Sequence, residues 1–308
     1  MKENDSNIYA IITGTNNKGG VGKTASSTNL AITMGALGYK TCYIDGDPQG
    51  NGTKALGVRE HFDPAKQSLW SGFKNKLSYK DVAVKSPYPN VDVIPGTSDL
   101  EDAVEIFSSS PRRWKLFKQL LVGYEKDYNF VFIDTPPAKG GILTPSALAA
   151  SDYYMIPSFA DSDSYDGFVK IVSMCEDIRD AENEKLSCLG VLITCLKRNT
   201  ANKVYLDYVS TLLKNANLPV FPHYIAQSDS LDTARLLGKP AVTLPNATAI
   251  RDAYIAVARY LISQIKESKA GRPRKSPDLS KLGLIKATTH TPEQEIIIPS
   301  RKQIEIEF

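Results

Sequence analysis

Apolar runs rich in Ile, Val and Tyr alternate along this chain with amphipathic stretches of helical length. Runs at 8–15, 40–45, 91–94, 130–134, 153–157 and 189–196 read as strands. Helical stretches span 23–37, 112–122, 164–180, 202–217 and 247–266, with Pro111 and Pro219 as punctuation beside two of them. On the last stretch Ile250, Tyr254, Val257, Leu261 and Ile265 recur at the spacing that puts them on one helix face. Strands separated by helix-length segments predict βαβ units, hence an α/β fold with a mostly parallel, doubly wound sheet and helices on both faces. No internal repeat of solenoid period appears. The pattern fades near Glu267, so residues 1–266 read as one domain and 267–308 as a basic, proline-containing tail with the cluster KESKAGRPRK. The end of that tail, EIIIPSRKQIEIEF, alternates enough for a strand, but Pro299 interrupts it.

Composition narrows the class. With 308 residues, 42% apolar and 23% charged, the chain can bury a sizeable core without staples. The net charge of +3 means that any affinity for nucleic acid must come from where Lys and Arg sit. Cys42, Cys175, Cys188 and Cys195 form no C-x-x-C pair and have no histidines at zinc spacing, which suits reduced thiols in a cytosolic protein. The start, MKENDSNIYAIITGT, lacks the basic opening and longer apolar core of a signal peptide. No apolar stretch approaches the ~20 residues of a spanning helix. A cytoplasmic protein is the expectation.

The chemistry begins where the first strand ends, at NNKGGVGKTASSTNLA. Binding phosphate on a loop requires glycines where backbone N–H groups turn inward, a Lys for the β- and γ-phosphates, and a hydroxyl for Mg²⁺. Gly22, Lys23 and Thr24 supply the G-K-[ST] end of that pattern. The opening glycine of the pattern falls at Asn17, a residue type that tolerates left-handed backbone. A strand before and a helix after predict a P-loop NTPase sheet. The second strand runs into YIDGDPQGN, placing Asp45 and Asp47 at a strand's carboxyl end, where α/β sheets bind ligands. Read alone, that segment is also a good turn. A third acidic strand end, FVFIDTPPA, brings Asp134.

KGGVGKT resembles the deviant Walker A motif of the ParA/MinD family of P-loop ATPases, whose mark is the second lysine, here Lys18. The resemblance runs over about residues 8–266, with D-G-D-P-Q-G-N and a Walker B-like FVFIDTPPA in family order. It implies an ATP and Mg²⁺ site on Lys18, Gly19, Gly20, Val21, Gly22, Lys23, Thr24 and Ala25, where Ala25 stands in place of the family's usual second Thr. It implies that Lys23 holds the phosphates of its own ATP, and that Lys18 crosses a nucleotide-sandwich homodimer to the partner's phosphates. By the same resemblance Thr24 ligates Mg²⁺, Asp45 and Asp134 contact it through water, and Asp47 positions the attacking water. Thr135–Pro137 would form the segment that senses the γ-phosphate. MIPSFADSDSYDGF matches a further family segment at Asp161, Asp166 and Gly167, with Phe159 in place of the usual Gln. FPHYIAQSD falls where relatives close over adenine, but His223 and Ala226 replace both family arginines.

The cargo is read separately, because one motor serves several jobs. D-x-D-P-Q-G-N is more typical of ParA than of MinD, and only seven residues precede the first predicted strand, as in short Soj-like ParA proteins. This implies ATP-dependent, non-specific DNA binding, a ParB-type centromere-binding adaptor that stimulates slow hydrolysis, and a nucleoid-associated location. On helix 247–266, Arg251, Arg259 and Lys266 fall to one side of the apolar stripe, and Arg272, Arg274 and Lys275 continue the basic character. Gly271-Arg272-Pro273 resembles the core of an AT-hook. The alternatives are a membrane-surface ATPase like MinD, for which LSKLGLIKA (279–287) is the candidate amphipathic segment, and a ParA-like protein that positions a protein cargo.

Overall fold

The computed structural model describes residues 8–137, 141–160, 162–197, 199–271, 276–278 and 281. Among these, seven strands form one sheet: β1 (Ala10–Gly14), β2 (Thr41–Asp45), β3 (Val84–Lys85), β4 (Val91–Ile94), β5 (Phe130–Asp134), β6 (Tyr153–Ser158) and β7 (Ser187–Ile193). Their order is β3-β4-β2-β5-β1-β6-β7, and every pairing is parallel except that of the two-residue edge strand β3 with β4. The doubly wound α/β reading therefore holds.

The helices are α1 (Lys23–Ala36), α2 (Asn51–Ala55), α3 (Leu69–Asn75), α4 (Tyr79–Val82), α5 (Leu100–Phe107), α6 (Leu116–Leu120), α7 (Leu143–Ala150), α8 (Ser162–Ala181), α9 (Thr200–Asn215), α10 (Asp229–Leu237) and α11 (Thr248–Lys269). Alternation along the strands divides the core between two faces. Ile12, Phe130 and Phe132 pack with α1 and α11, while Ile11, Val131 and Ile133 pack with Phe117, Leu143 and Ala147 on the other face. The stripe Ile250, Tyr254, Val257, Leu261 and Ile265 is wholly buried in the first of these cores.

Three expectations change. The stretch 112–122 shortens to the five residues of α6, because 111–115 folds as turns. The last strand ends at Ile193, and Leu196 makes only an isolated bridge to Ala226. The last helix runs on to Lys269, past the boundary drawn at residue 266. Of the tail beyond it, the Asp278 amide donates to the Ala216 carbonyl at the end of α9 (2.7 Å). Arg272, Arg274, Lys275 and the terminal strand-like segment lie outside the described residues.

Register is what this fold contributes to function. Gly14, Asp45 and Asp134 are the last residues of three adjacent strands, and Asp134 is the cross-strand partner of both others. The glycine-rich loop therefore leaves the sheet beside the two strand-end carboxylates. Helix α1 is seated tightly beneath it: a Cβ at Gly35 would stand 2.6 Å from the Pro89 carbonyl oxygen. Gly35→Ala should lower stability by roughly 1–3 kcal/mol through this overpacking, measured as a fall in the urea midpoint at unchanged slope.

Candidate functional site

The loop between β1 and α1 is held from both sides. Asn16 is fully buried; its amide donates to the Pro157 carbonyl on β6 (2.8 Å), and its side-chain oxygen accepts the Lys18 N–H (3.0 Å). From the end of β7, the Thr194 hydroxyl donates to the Val21 carbonyl (2.8 Å). Left-handed backbone occurs at Gly20 (φ +78°) and Gly22 (φ +85°), positions that glycine occupies without strain. Asn17 is not among the left-handed residues, so the tolerance expected of it is not used. Asn16, its neighbour, organises the loop instead.

Gly22 caps α1 without a side-chain hydrogen bond, and the first turn carries no acidic residue. The N–H groups and positive end of a 14-residue helix are thus directed at the loop, the arrangement that receives phosphate. Lys23, the first residue of α1, is buried, and its ammonium donates to the Lys18 carbonyl (3.2 Å). Burial lowers its pKa, opposed by the negative charges of Asp134 and Asp47.

Asp134 faces Lys23 from the end of β5. Its Oδ2 accepts the Tyr43 hydroxyl (3.1 Å), whereas its Oδ1 is buried with no hydrogen-bond partner. Burial pushes its pKa up to about 7, with the Asp45 charge adding to the rise and the Thr24 hydroxyl and Lys23 opposing it. A buried carboxylate with one unpartnered oxygen, in a site that also holds the Thr24 hydroxyl and Lys23, is a place for a cation. Tyr43, in the sequence merely a strand residue, is fixed in position because α2 lies on it at Gly52, where a Cβ would overlap the ring hydroxyl.

Asp45, expected to contact the metal through water, is held by hydrogen bonds from its own chain. Its Oδ2 accepts both the Thr53 N–H (2.6 Å) and the Thr53 hydroxyl (2.7 Å), and its Oδ1 accepts the Asp47 N–H (3.3 Å). Both oxygens are occupied by the protein, so Asp45 anchors the start of α2 and shapes the Asp47 turn. Burial nevertheless pushes its pKa up to about 6, against these hydrogen bonds. Asp47 is half-buried, and its Oδ1 accepts the Gln49 N–H (2.9 Å). In the segment that follows Asp134, the buried Thr135 hydroxyl donates to the Gly14 carbonyl (3.0 Å).

Lys23, Thr24 and Asp47, with Gly20, Gly22 and Ala25, line a cleft of about 1000 Å³ that runs to Cys195, Lys197, Gln227 and Pro240. Cys195 adopts a left-handed conformation, φ +51°. Gly19 is exposed and Val21 buried, as a loop with one face to solvent requires. The basic residues predicted on α11 are not brought to this cleft. Arg251 is withdrawn from any open basic face, since its guanidinium donates to the carbonyls of Leu244 (2.7 Å) and Pro245 (3.1 Å) and ties the preceding loop to the helix. Arg259 and Lys266 are exposed. Of the further matches, Phe159 lines the cleft, while the Asp161, Asp166 and Gly167 side-chain positions lie outside the described residues.

A family model described as an AAA domain matches residues 9–188. The chromosome partitioning protein ParA of Caulobacter vibrioides is 28% identical over 272 residues, spanning 88% of this chain and 99% of its own. The chain belongs to the ParA/MinD family of P-loop ATPases. The sporulation initiation inhibitor Soj of Bacillus subtilis is 29% identical over 250 residues, 81% of this chain and 96% of its own. Among solved structures, apo McdA of Cyanothece superposes with a TM-score of 0.72 at 21% identity, covering 82% of this chain and 98% of that one. That likeness is one of fold.

For a P-loop ATPase of this family, the two buried aspartates give a pH signature. Their folded pKa values, about 7 for Asp134 and about 6 for Asp45, lie above the ordinary carboxylate value of 3.8, so the folded chain binds protons more tightly than the unfolded one in between. Stability without ligand is then greatest below that window and declines as pH rises from about 4 to about 7. Asp134→Asn mimics the protonated form. It should match the unliganded wild type near about pH 4 and exceed it above about pH 7, by roughly 1–3 kcal/mol, in urea denaturation at both pH values.

Proposed function

We propose that the protein is an ATP-dependent dimerising switch that binds DNA without sequence preference and partitions it, with slow ATP hydrolysis stimulated by a partner. The observation that carries the reading is the second lysine of the phosphate loop, Lys18, whose carbonyl accepts the ammonium of the buried Lys23, within the field of the Asp134 carboxylate.

The residues fit Mg²⁺ with ATP. The loop amides and Lys23 receive the phosphates, and the Thr24 hydroxyl and Asp134 hold the cation. Among the described residues no cluster of three His, Cys, Asp or Glu could hold a metal alone. The remaining ligands would therefore be phosphate and water, which is how Mg²⁺ is commonly bound. Mg²⁺ supplies charge neutralisation on the β- and γ-phosphates. Asp47, oriented by the turn that Asp45 fixes, positions the attacking water. Lys197, Gln227 and Pro240 stand where the cleft extends beyond the loop and offer the walls for the nucleoside. Lys18 reaches the partner's phosphates in the homodimer.

The DNA reading draws on the relatives, whose names are those of chromosome partitioning proteins. With Arg251 engaged in its own loop, Arg259 and Lys266 remain on the exposed side of α11, and Arg272, Arg274 and Lys275 continue the chain beyond. A ParB-type adaptor and a nucleoid-associated location belong to the same reading. Among the described residues no helix is long and apolar enough to cross a membrane.

Duplex binding should require ATP and weaken steeply with salt, with a slope of roughly −0.9 per phosphate contact. Fluorescence anisotropy with ATP, ADP and no nucleotide, at two salt concentrations, checks this; equal binding in all three states would refute the switch. Asp47→Ala should hold the protein on DNA in ATP with turnover reduced roughly tenfold or more, on the order expected when a water-positioning group is lost. Wild-type turnover in that variant would remove Asp47 from the mechanism.

A further inference from the structure

Lys18 couples nucleotide to partner in the function proposed above, and a role for its neighbour Phe159 rests on that reading. Within the single chain the Lys18 ammonium lies 5.8 Å from the centroid of the Phe159 ring. Both members of this contact are registered to one strand end. The Thr15 N–H donates to the Met155 carbonyl (3.0 Å), the Asn16 amide donates to the Pro157 carbonyl (2.8 Å), and the Lys18 N–H donates to the Asn16 side chain (3.0 Å). Phe159 stands two residues after Pro157, is half-buried, and lines the cleft with Gly20 and Gly22. The loop and the ring are thus laced together by three hydrogen bonds, and the cation is presented to an aromatic face. Phe159 also stands where the family resemblance leads one to expect Gln, a side chain without an aromatic face.

We propose that Phe159 is a positioning residue that holds Lys18 in the monomer. The quadrupole of the ring stabilises the ammonium beside its own loop. Dimerisation draws Lys18 off that ring toward the partner's phosphates, so the contact raises the ATP concentration at which dimers form.

A series of the full-length protein with phenylalanine, mono-, di- and trifluorophenylalanine at position 159 tests this, because fluorine withdraws ring density with little change of shape. Light scattering gives the ATP concentration at half-dimerisation. It should fall stepwise along the series, by roughly two- to fivefold in total, with Phe159→Leu at the far end and Phe159→Tyr close to wild type. The thermal midpoint without nucleotide, which a merely structural role would move, should stay constant. A flat or rising series overturns the role of Phe159. Lys18→Ala separates this from the underlying reading: the variant should bind ATP and remain monomeric. If it dimerises like wild type, the trans role of Lys18 fails; if it stays monomeric while the series is flat, only the inference about Phe159 fails.

Discussion

A carboxylate buried at the end of a central strand, with one oxygen satisfied and the other not, is the constraint around which this site is built. The open Oδ1 of Asp134 costs stability in the unliganded chain, since a buried charged acceptor without a donor loses hydration and regains nothing. Tyr43 fixes the other oxygen, Gly52 gives α2 room to lie on Tyr43, and Asp45 anchors α2 through Thr53. One acidic strand end therefore sets the position of its neighbour strand, of the next helix and of the turn that carries Asp47. The register of β1, β2 and β5 brings the phosphate loop to the same line.

The opposite wall is cationic and equally fixed. Lys23 enters from the first position of α1, and its charge is held against burial by Asp134 and Asp47. The loop between them is clamped by Asn16 to β6 and by Thr194 from the end of β7. Preorganised donors on one side and an under-satisfied carboxylate on the other leave a gap suited to a polyanion carrying a divalent cation. Lys18 joins the loop through its carbonyl, which accepts the Lys23 ammonium. Its own ammonium lies 5.8 Å from the centroid of the Phe159 ring.

Much of this is legible in the sequence, for identifiable reasons. Buried parallel strands read as apolar runs with sharp ends, so β1, β2, β4, β5 and β6 appear within one or two residues of their places. Long helices such as α1 and α11 carry enough turns for their period to show. Helices α2, α3, α4, α5, α7 and α10, of four to nine residues, do not, because two turns give too few positions to separate a period from chance. At the site, Lys18, Lys23, Thr24 and Asp134 are visible because their roles come with spacing. Asn16, Tyr43, Thr53 and Thr194 are not, since each acts through a contact made only after the chain folds. Arg251 shows the converse: helical periodicity gives its angle on α11 correctly but cannot show that the loop at 242–245 turns back to occupy it.

Whether Asp134 is built to receive a cation together with the nucleotide can be read from proton release. Burial pushes the Asp134 pKa up to about 7, so the carboxyl holds a proton more readily than an ordinary aspartate, and a bound cation would favour its ionised form. Titration calorimetry of Mg·ATP binding from about pH 6 to about pH 7, in buffers of different ionisation enthalpy, should show net proton release. That release should disappear in Asp134→Asn. Binding with no proton release in the wild type, or with the same release in the variant, would show that Asp134 does not receive the cation.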